Sequence, residues 1–419
     1  MSNMPDISKI NFTDIYIDPV SVRKQPERYT KAVQIFEENF GSCEEIEIYS
    51  APGRTEIGGN HTDHQHGEVL AASINRDAIA ITRKTSANLV RVISGRYKMI
   101  KIDSGDLQCR ADEEGTTEAL IRGMLQALSQ DGYEVGGFDA YITSDVLIGA
   151  GLSSSAAFET LIGTIISGLY NDMKIDPVTI AKAGQYAENV YFGKPCGLMD
   201  QMACSVGNMV HIDFKHPDNP EVERIEFDFT KTGYSLCITD TKGSHSDLTA
   251  DYAAVPSEMK AVASLLGHDV LRPVTLDDII SNISLLREKA GDRAVIRAIH
   301  FIEETKRAGD EAKALQNGDL WEFLKLVKAS GNSSAKYLQN IYSNSDIENQ
   351  NVTLALAVSE AVLSQEEVSR VHGGGFAGTI QAFVKNGNTD RYREVMDSIF
   401  GEGSCQILKI RKYGGIKVL

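Results

Sequence analysis

Gly149-Ala150-Gly151-Leu152-Ser153-Ser154-Ser155-Ala156-Ala157 is the most informative segment of the chain. It follows a segment at 138–143 that predicts a strand, and it opens an apolar segment at 158–169 that predicts a helix. Small residues let the backbone approach a ligand closely, and the first N–H groups of a helix have no partner inside the helix. Together with the helix dipole these groups form a phosphate site, and one of the three serines could ligate Mg²⁺.

The same segment has a plainer interpretation, a glycine-serine turn in which a serine caps the helix. It is not a P-loop, because the chain contains no GxxxxGK followed by serine or threonine. The lysine that grips phosphates in P-loop proteins therefore has no counterpart here. Three serines between a predicted strand and an apolar helix favour the phosphate site.

A dense polar cluster, GRTEIGGNHTDHQHG, occupies residues 53–67. Its side chains, His61 and Asp63 among them, supply the paired donors and acceptors that a polyhydroxylated ligand needs. An exposed polar loop is the alternative interpretation. A metal site is a further alternative because histidines stand at His61, His64 and His66, but their spacing is not that of a helical i, i+4 pair.

Two more segments are rich in glycine. Residues 193–201 follow a predicted helix that carries Glu188, and their acid, Asp200, is a candidate base, while Glu188 is a candidate Mg²⁺ ligand. Asp200 could instead cap the helix that follows it. Residues 373–378 precede a predicted strand and would either shape a nucleotide pocket or form a turn.

Composition limits the classes of function. The chain has 419 residues, 42% of them hydrophobic, and a formal net charge of −16, which predicts two globular domains and disfavours nucleic acid and anionic membranes as partners. Its six cysteines show no CxxC spacing, so neither a disulfide framework nor a zinc site is predicted. Residues 1–12 do not resemble a signal peptide, and apolar runs stay short of the ~18 residues of a membrane span, so we expect the cytoplasm.

The periodicity predicts an α+β chain with a domain boundary near residue 235. A half-exposed strand is predicted around Ile46 and Ile48. The other predicted strands span residues 78–82, 89–94, 138–143, 209–214, 379–384 and 405–411. The predicted helices span residues 117–130, 176–191, 256–266, 276–290, 292–316, 320–341 and 352–364.

The four segments together, in this order, resemble the motifs of the GHMP kinases and in particular of the galactokinase family. APGRTEIGGNHTDHQHG at 51–67 is similar to the galactokinase signature, and GAGLSSSAAFE at 149–159 to the phosphate-binding motif. KPCGLMDQMACSVG at 194–207 is similar to the segment with the catalytic aspartate, and VHGGGFAGTIQAFV at 371–384 to the third GHMP motif. The resemblance runs from about residue 25 to the C-terminus.

The resemblance implies the fold and the reaction. The fold would be α+β, with a ribosomal-S5-like N-terminal domain at 1–235, a ferredoxin-like C-terminal domain at 236–419 and the active site between them. The reaction would be ATP-dependent phosphorylation of the C1 hydroxyl of galactose, with Mg²⁺ as cofactor and sugar and ATP as the small-molecule partners. A monomer is expected, although the sequence leaves the oligomeric state open.

The resemblance also implies site residues. Asp200 matches the catalytic aspartate, Arg54 the arginine beside it, and Ser154 or a neighbouring serine, with Glu188, the Mg²⁺ ligands. Arg54 would lower the pKa of Asp200 and keep its carboxyl group ionised. The sugar-binding positions fall on Asn60, His61, Asp63, Asp200 and Tyr252. The ATP and phosphate positions fall on Gly149, Ala150, Gly151, Leu152, Ser153, Ser154, Ser155, Gly374 and Gly375.

Residues 56 and 60 depart from the family pattern. Galactokinases carry glutamate where this chain has Asn60, and asparagine where it has Glu56. Charge-assisted hydrogen bonds contribute ~1.5–3 kcal/mol against ~1 for neutral ones, so galactose affinity would fall ~10-fold or the preferred sugar would change. On the sequence alone, Asn60→Glu should improve the use of galactose. The alternatives are a kinase for arabinose, galacturonate or an amino sugar, and a non-catalytic sugar sensor on the same fold.

Overall fold

The computed structural model describes residues 5–147, 151–243, 248–376 and 378–419. It divides into two compact units, each made of segments that are distant in sequence. Unit 1 comprises Met1–Arg54, Ala72–Asn208 and Arg411–Leu419, and unit 2 comprises Thr55–Ala71 and Met209–Ile410. The domain boundary predicted between residues 235 and 236 falls inside unit 2, and as a statement about domains it stays a prediction.

Strands and helices are mixed along the chain, as the sequence predicts. The strands are β1 (Glu47–Gly58), β2 (Glu68–Lys84), β3 (Leu89–Ser94), β4 (Ile100–Asp103), β5 (Phe138–Ser144), β6 (Met209–Asp213), β7 (Glu221–Ile225), β8 (Tyr234–Asp240), β9 (Val368–His372), β10 (Thr379–Lys385), β11 (Cys405–Leu408) and β12 (Ile416–Lys417). The α-helices are α1 (Phe12–Tyr16), α2 (Pro19–Phe40), α3 (Thr117–Gln130), α4 (Ser154–Asn171), α5 (Pro177–Tyr186), α6 (Met199–Val206), α7 (Thr249–Leu265), α8 (Leu276–Ser281), α9 (Ile283–Ala290), α10 (Asp292–Gln316), α11 (Leu320–Ser333), α12 (Asn351–Val362) and α13 (Thr389–Phe400). Two π segments, Ala187–Phe192 and Ser334–Leu338, continue α5 and α11.

Unit 1 contains a sheet with helices on both faces. Its strands follow the order β12–β1–β2–β5–β3–β4. Side chains alternate across the sheet, so Ile79 and Ile81 of β2 join the core under α2, while Ala78 and Ala80 join the core under α3 and α4. The loop that precedes α4 and the start of α6 therefore stand on a packed scaffold.

Unit 2 contains an antiparallel sheet and a separate helical core. The sheet has the order β11–β8–β10–β9, and α12 and α13 pack on it through residues such as Val352 and Met396. The helical core joins α7, α9 and α10, with Met259 and Phe301 among its buried side chains. Both cores belong to unit 2 itself.

Three sequence predictions need correction. The strand around Ile46 and Ile48 is not half-exposed: β1 continues through the polar cluster to Gly58 and is buried almost throughout, because it lies inside the sheet rather than at an edge. The helix predicted at 276–290 is two helices, α8 and α9, which meet at Asn282. The helix predicted from 256 begins at Thr249, so Pro256 lies inside α7.

A buried carboxylate, Asp77 of β2, ties together distant parts of unit 1. It accepts hydrogen bonds from Arg28 Nη1 at 2.6 Å, Tyr16 Oη at 2.7 Å and Arg411 Nη1 at 3.1 Å, and also from the Ser50 hydroxyl. Burial by itself would raise the pKa of Asp77, but Arg28 and Arg411 hold the pKa below its ordinary value. The ionised carboxylate therefore compensates two buried or nearly buried guanidinium groups.

Asp77→Asn should strongly destabilise the protein. The amide keeps the size of the side chain but removes the charge that compensates fully buried Arg411. We expect the free energy of unfolding to fall by ~3–5 kcal/mol in denaturant titrations. The matched control is Asp172→Asn, whose side chain is 83% exposed, and it should change stability by less than ~0.5 kcal/mol. A loss below ~1 kcal/mol for Asp77→Asn would contradict the assigned role.

Candidate active site

Arg54 and Asp200, 146 residues apart in sequence, form a bidentate ion pair in unit 1. Arg54 Nε donates to Asp200 Oδ1 at 2.7 Å, and Arg54 Nη2 donates to Asp200 Oδ2 at 2.6 Å. This parallel geometry is the strongest way for an arginine to hold a carboxylate. The Asp200 side chain remains 33% exposed, so it can still meet a ligand.

The loop that precedes α4 lies directly against β1. A Cβ atom at Gly53 would approach the Leu152 carbonyl oxygen to 2.8 Å and Val146 Cγ1 to 2.9 Å, so only glycine fits there without a shift. Arg54 N donates to the same Leu152 oxygen at 3.2 Å, and Arg54 Nη1 donates to the Gly151 carbonyl. One arginine therefore holds both the loop and Asp200.

Ser153 stands at the N-cap position of α4 but does not cap the helix. It has left-handed backbone angles, φ 53° and ψ 66°. Its hydroxyl donates to Asp200 Oδ2, and its oxygen accepts no capping hydrogen bond from the first turn of α4. Left-handed geometry is unfavourable for most non-glycine residues, and strained residues of this kind cluster at functional sites. The serine-cap interpretation therefore fails for Ser153, and the first N–H groups of α4 keep their capacity to bind an anion.

The carboxyl group of Asp200 is ionised at neutral pH. Removal from solvent would raise its pKa, but Arg54, followed by Ser153, holds the pKa below the ordinary value of 3.8. Asp200 lies in the first turn of α6, whose N-cap residue is Leu198. The alternative in which Asp200 caps this helix is therefore wrong.

Glu188 and a serine of α4 form a second cluster beside this pair. Glu188 Oε1 accepts from Ser155 Oγ at 3.3 Å and from Lys194 Nζ at 3.1 Å. Its other oxygen accepts from Gln201 Nε2 at 2.9 Å. The hydroxyl that meets Glu188 belongs to Ser155, whereas the sequence points first to Ser154. Carboxylate and hydroxyl oxygens are the donors that Mg²⁺ prefers, so this pair fits the ion.

Glu159 is a functional candidate that sequence reasoning misses. It is fully buried on α4, and its Oε2 accepts from Gln201 Nε2 at 3.1 Å, the same nitrogen that contacts Glu188. Burial, and then the charge of Glu188, raise the pKa of Glu159 to about 8. Glu159 is therefore protonated at pH 7. A glutamate in an apolar helix is the only signal that the sequence offers.

The polar cluster lies in unit 2 from Thr55 onwards. Asn60 is fully buried, and His61 is partly buried with φ 60° and donates through Nε2 to the Gly374 carbonyl at 3.1 Å. Burial lowers the pKa of His61 to about 4, so its ring is neutral at pH 7. Asp63 is 20% exposed and lies 3.6 Å from His64 Nε2. Among the residues that the structure describes, no three His, Cys, Asp or Glu side chains group as metal ligands. This gives no support to a metal site formed by the three histidines of the cluster.

The glycine segment at 373–375 is a turn that Tyr252 covers, also in unit 2. Tyr252 Oη donates to the Gly375 carbonyl at 2.9 Å, and a Cβ at Gly374 would lie 2.6 Å from the Tyr252 ring. Gly375 has φ 79°, and its Cβ would lie 2.1 Å from the Asn340 carbonyl oxygen. Close packing therefore requires both glycines.

Of the other predicted positions, Gly149 and Ala150 lie outside the described residues.

Comparison with known proteins extends these observations. Residues 119–208 match the GHMP kinases N terminal domain, and residues 34–84 match the galactokinase galactose-binding signature. Galactokinase of Streptomyces coelicolor is 29% identical over 380 residues, which cover 90% of this chain and 94% of that protein. Galactokinase of Lactococcus lactis subsp. lactis is 26% identical over 374 residues, which cover 88% and 90%.

Solved structures share the fold. A Lactococcus lactis galactokinase complexed with galactose superimposes with a TM-score of 0.77 at 23% identity and covers 93% of this chain and 100% of its own. The Methanococcus jannaschii mevalonate kinase follows with a TM-score of 0.61 at 15% identity and covers 87% and 98%. The predicted α+β fold of the GHMP kinases is confirmed. The matched domain, the matched signature and these relatives support the GHMP kinase superfamily and, within it, the galactokinase family.

The described helices were compared with what a membrane-spanning helix requires. None of the helices in the described part of the chain combines the length with the apolar composition that crossing a bilayer requires.

Glu159→Gln should remove a pH dependence of stability. The folded protein keeps the Glu159 proton up to about pH 8, whereas the unfolded chain releases it near 4.5, so the wild-type protein loses stability as pH rises between these values. The variant is neutral at every pH, so its melting temperature relative to the wild type should rise by ~4 °C or more between pH 5 and pH 8. Glu38→Gln, on an exposed position of α2, serves as the control. A constant difference across this range would contradict a buried, protonated Glu159.

Proposed function

We propose that this protein is an ATP-dependent sugar kinase that phosphorylates the anomeric C1 hydroxyl of galactose, giving galactose 1-phosphate and ADP. The observation that carries the proposal is the Arg54–Asp200 ion pair beside the uncapped start of α4. An ionised carboxylate is thereby held next to a natural phosphate site. The galactose-binding signature at 34–84 and the relatives named galactokinase support galactose as the acceptor.

Asp200 would accept a hydrogen bond from the C1 hydroxyl and take its proton as the phosphoryl group arrives. Phosphoryl transfer requires mainly alignment and charge stabilisation, so even a weakly basic carboxylate serves if it is well oriented. Arg54 supplies that orientation through two hydrogen bonds and keeps Asp200 ionised until it accepts the proton. Ser153 contributes a third contact from the phosphate loop.

The phosphates of ATP would bind the loop 149–155 and the first turn of α4. The Ser153 side chain accepts no hydrogen bond from the backbone N–H groups of that turn, which leaves them to the ligand. Glu188 with Ser155, or Ser154 beside it, would hold Mg²⁺. When bound, Mg²⁺ neutralises phosphate charge and orients the transferred group. Gln201 fixes one Glu188 oxygen, which keeps the other directed towards Ser155.

The sugar would bind residues of the polar cluster. The Gly374 carbonyl can only accept, so the neutral His61 ring carries its proton on Nε2 and presents Nδ1 as an acceptor for a sugar hydroxyl. Asp63 would accept from a further hydroxyl, and Tyr252 would pack beside the sugar over Gly374 and Gly375. A cytoplasmic location and a monomeric state complete the proposal, and both stay predictions.

A sugar panel tests the function. ADP release is measured with galactose, arabinose, galacturonate and galactosamine under the same Mg²⁺ and ATP concentrations. Turnover of galactose with the highest kcat/KM supports the proposal. A higher kcat/KM for another sugar reassigns the substrate within sugar kinases. Sugar-dependent ATP binding without turnover would replace the kinase with a sugar sensor.

Asp200→Asn should abolish turnover but not ATP binding. The amide loses the charge and the basic lone pair that the C1 hydroxyl requires, so kcat should fall by ~10²–10⁴-fold. Calorimetric ATP binding should stay within ~3-fold of the wild type, because the phosphate loop is retained, and it reports that the variant is folded. Asp176→Asn, which preserves the N-cap of α5, should leave kcat unchanged. Near-normal turnover of Asp200→Asn would remove the assigned role.

A further inference from the structure

The side chain of Asn60 has no hydrogen-bonding capacity left for a ligand. Its Nδ2 donates to Glu56 Oε1 at 3.0 Å and to the Gly373 carbonyl at 2.7 Å. Its Oδ1 accepts from Asn340 Nδ2 at 2.8 Å and from Ser334 Oγ at 3.2 Å. An amide offers two donors and two lone pairs, so all four positions are used, and the residue is fully buried.

The backbone of Asn60 is held as firmly as its side chain. His300 Nε2 donates to the Asn60 carbonyl at 2.9 Å, and Asn60 N donates to Glu304 Oε1 at 3.4 Å. Both partners are fully buried residues of α10. This end of the polar cluster is therefore anchored to the helical core of unit 2.

Asn60 and His61 bind the glycine turn as a pair. Asn60 donates to the Gly373 carbonyl, and the next residue, His61, donates to the next carbonyl, Gly374. Two consecutive residues thus meet two consecutive acceptors. The position of Asn60 consequently sets the position of the His61 ring, which has one nitrogen left for a ligand.

Glu56 explains why residue 60 is an amide. Its Oε1 accepts from Asn60 and also from Arg370 Nη2 at 2.7 Å, deep inside unit 2. A carboxylate at position 60 would face Glu56 and the Gly373 carbonyl, both of which only accept hydrogen bonds. Two buried carboxylates and a carbonyl without a donor between them repel one another.

We infer that Asn60 is a positioning residue that acts as one unit with Glu56, joining the polar cluster to the glycine turn, and that sugar selection at this loop belongs to His61 and Asp63. The part about sugar selection rests on the proposed function, whereas the part about the Glu56–Asn60 unit does not. The contacts also reverse the expectation drawn from the sequence: Asn60→Glu should impair the protein, not improve its use of galactose.

A thermal mutant cycle tests the Glu56–Asn60 unit without any assay of activity. The variants are Asn60→Asp, Glu56→Gln and the double variant that carries both substitutions. All are measured at pH 8 so that the new acid is ionised. Asn60→Asp should lower the melting temperature by ~4–8 °C, because it removes two donors and adds a buried charge. The double variant should recover part of the lost melting temperature, since the amide introduced by Glu56→Gln restores a donor between the two side chains. Asn219→Asp, an exposed loop position of unit 2, controls for the added charge.

Kinetics across the sugar panel test the assignment of sugar selection. If Asn60 acts by positioning, Asn60→Asp should lower kcat/KM by a similar factor for every accepted sugar, so that ratios between sugars stay within ~2-fold. His61→Asn should change those ratios. An Asn60→Asp variant with an unchanged melting temperature and sugar ratios altered by more than ~5-fold would overturn the inference. If no sugar is turned over, the proposed function fails, but the thermal cycle still decides the Glu56–Asn60 unit.

Discussion

Unit 1 is organised around the ion pair between Arg54 and Asp200. A carboxylate that must stay ionised near a phosphate site needs a permanent positive partner in fixed geometry, and a bidentate arginine provides it. Gly53 lets β1 approach the loop, and Ser153 adopts left-handed backbone angles and reaches the same carboxylate. Local strain at Ser153 is offset by contacts that converge on Asp200.

The acids around this pair differ in their protonation. Glu159 holds a proton, its neighbour Glu188 pairs with Lys194, and one amide, that of Gln201, orients both glutamates. Unit 2 uses a related arrangement, in which Arg370 holds Glu56 and the Asn60 amide separates that carboxylate from the Gly373 carbonyl. In each unit a neutral amide lies beside a charged group and fixes its direction.

Part of this structure could be predicted from sequence. The helices α3 and α10 have the predicted bounds, because their apolar residues repeat with helical spacing. The long helix α2 is absent from the predicted elements, although Asp18 and Pro19 form the same start signal as in α5. Interior Pro26 and many charged residues obscure its buried face.

The candidate site was likewise predictable only in part from the sequence. The motifs locate Arg54 and Asp200, and Glu188 is a candidate on the helix that precedes the motif of Asp200. The buried state of Asn60 and the proton on Glu159 depend on partners such as Asn340 and Gln201, far away along the chain, so no local pattern reveals them.

If the chain is a galactose kinase, Asp200 faces the hydroxyl that receives the phosphoryl group. A crystal structure with galactose and a non-hydrolysable ATP analogue measures this directly, as the distance between a carboxylate oxygen of Asp200 and the C1 oxygen of the sugar. We expect a hydrogen bond of ~2.6–3.2 Å, with Arg54 still paired to the same carboxylate. A bound sugar whose C1 oxygen points away from Asp200 would contradict the assignment.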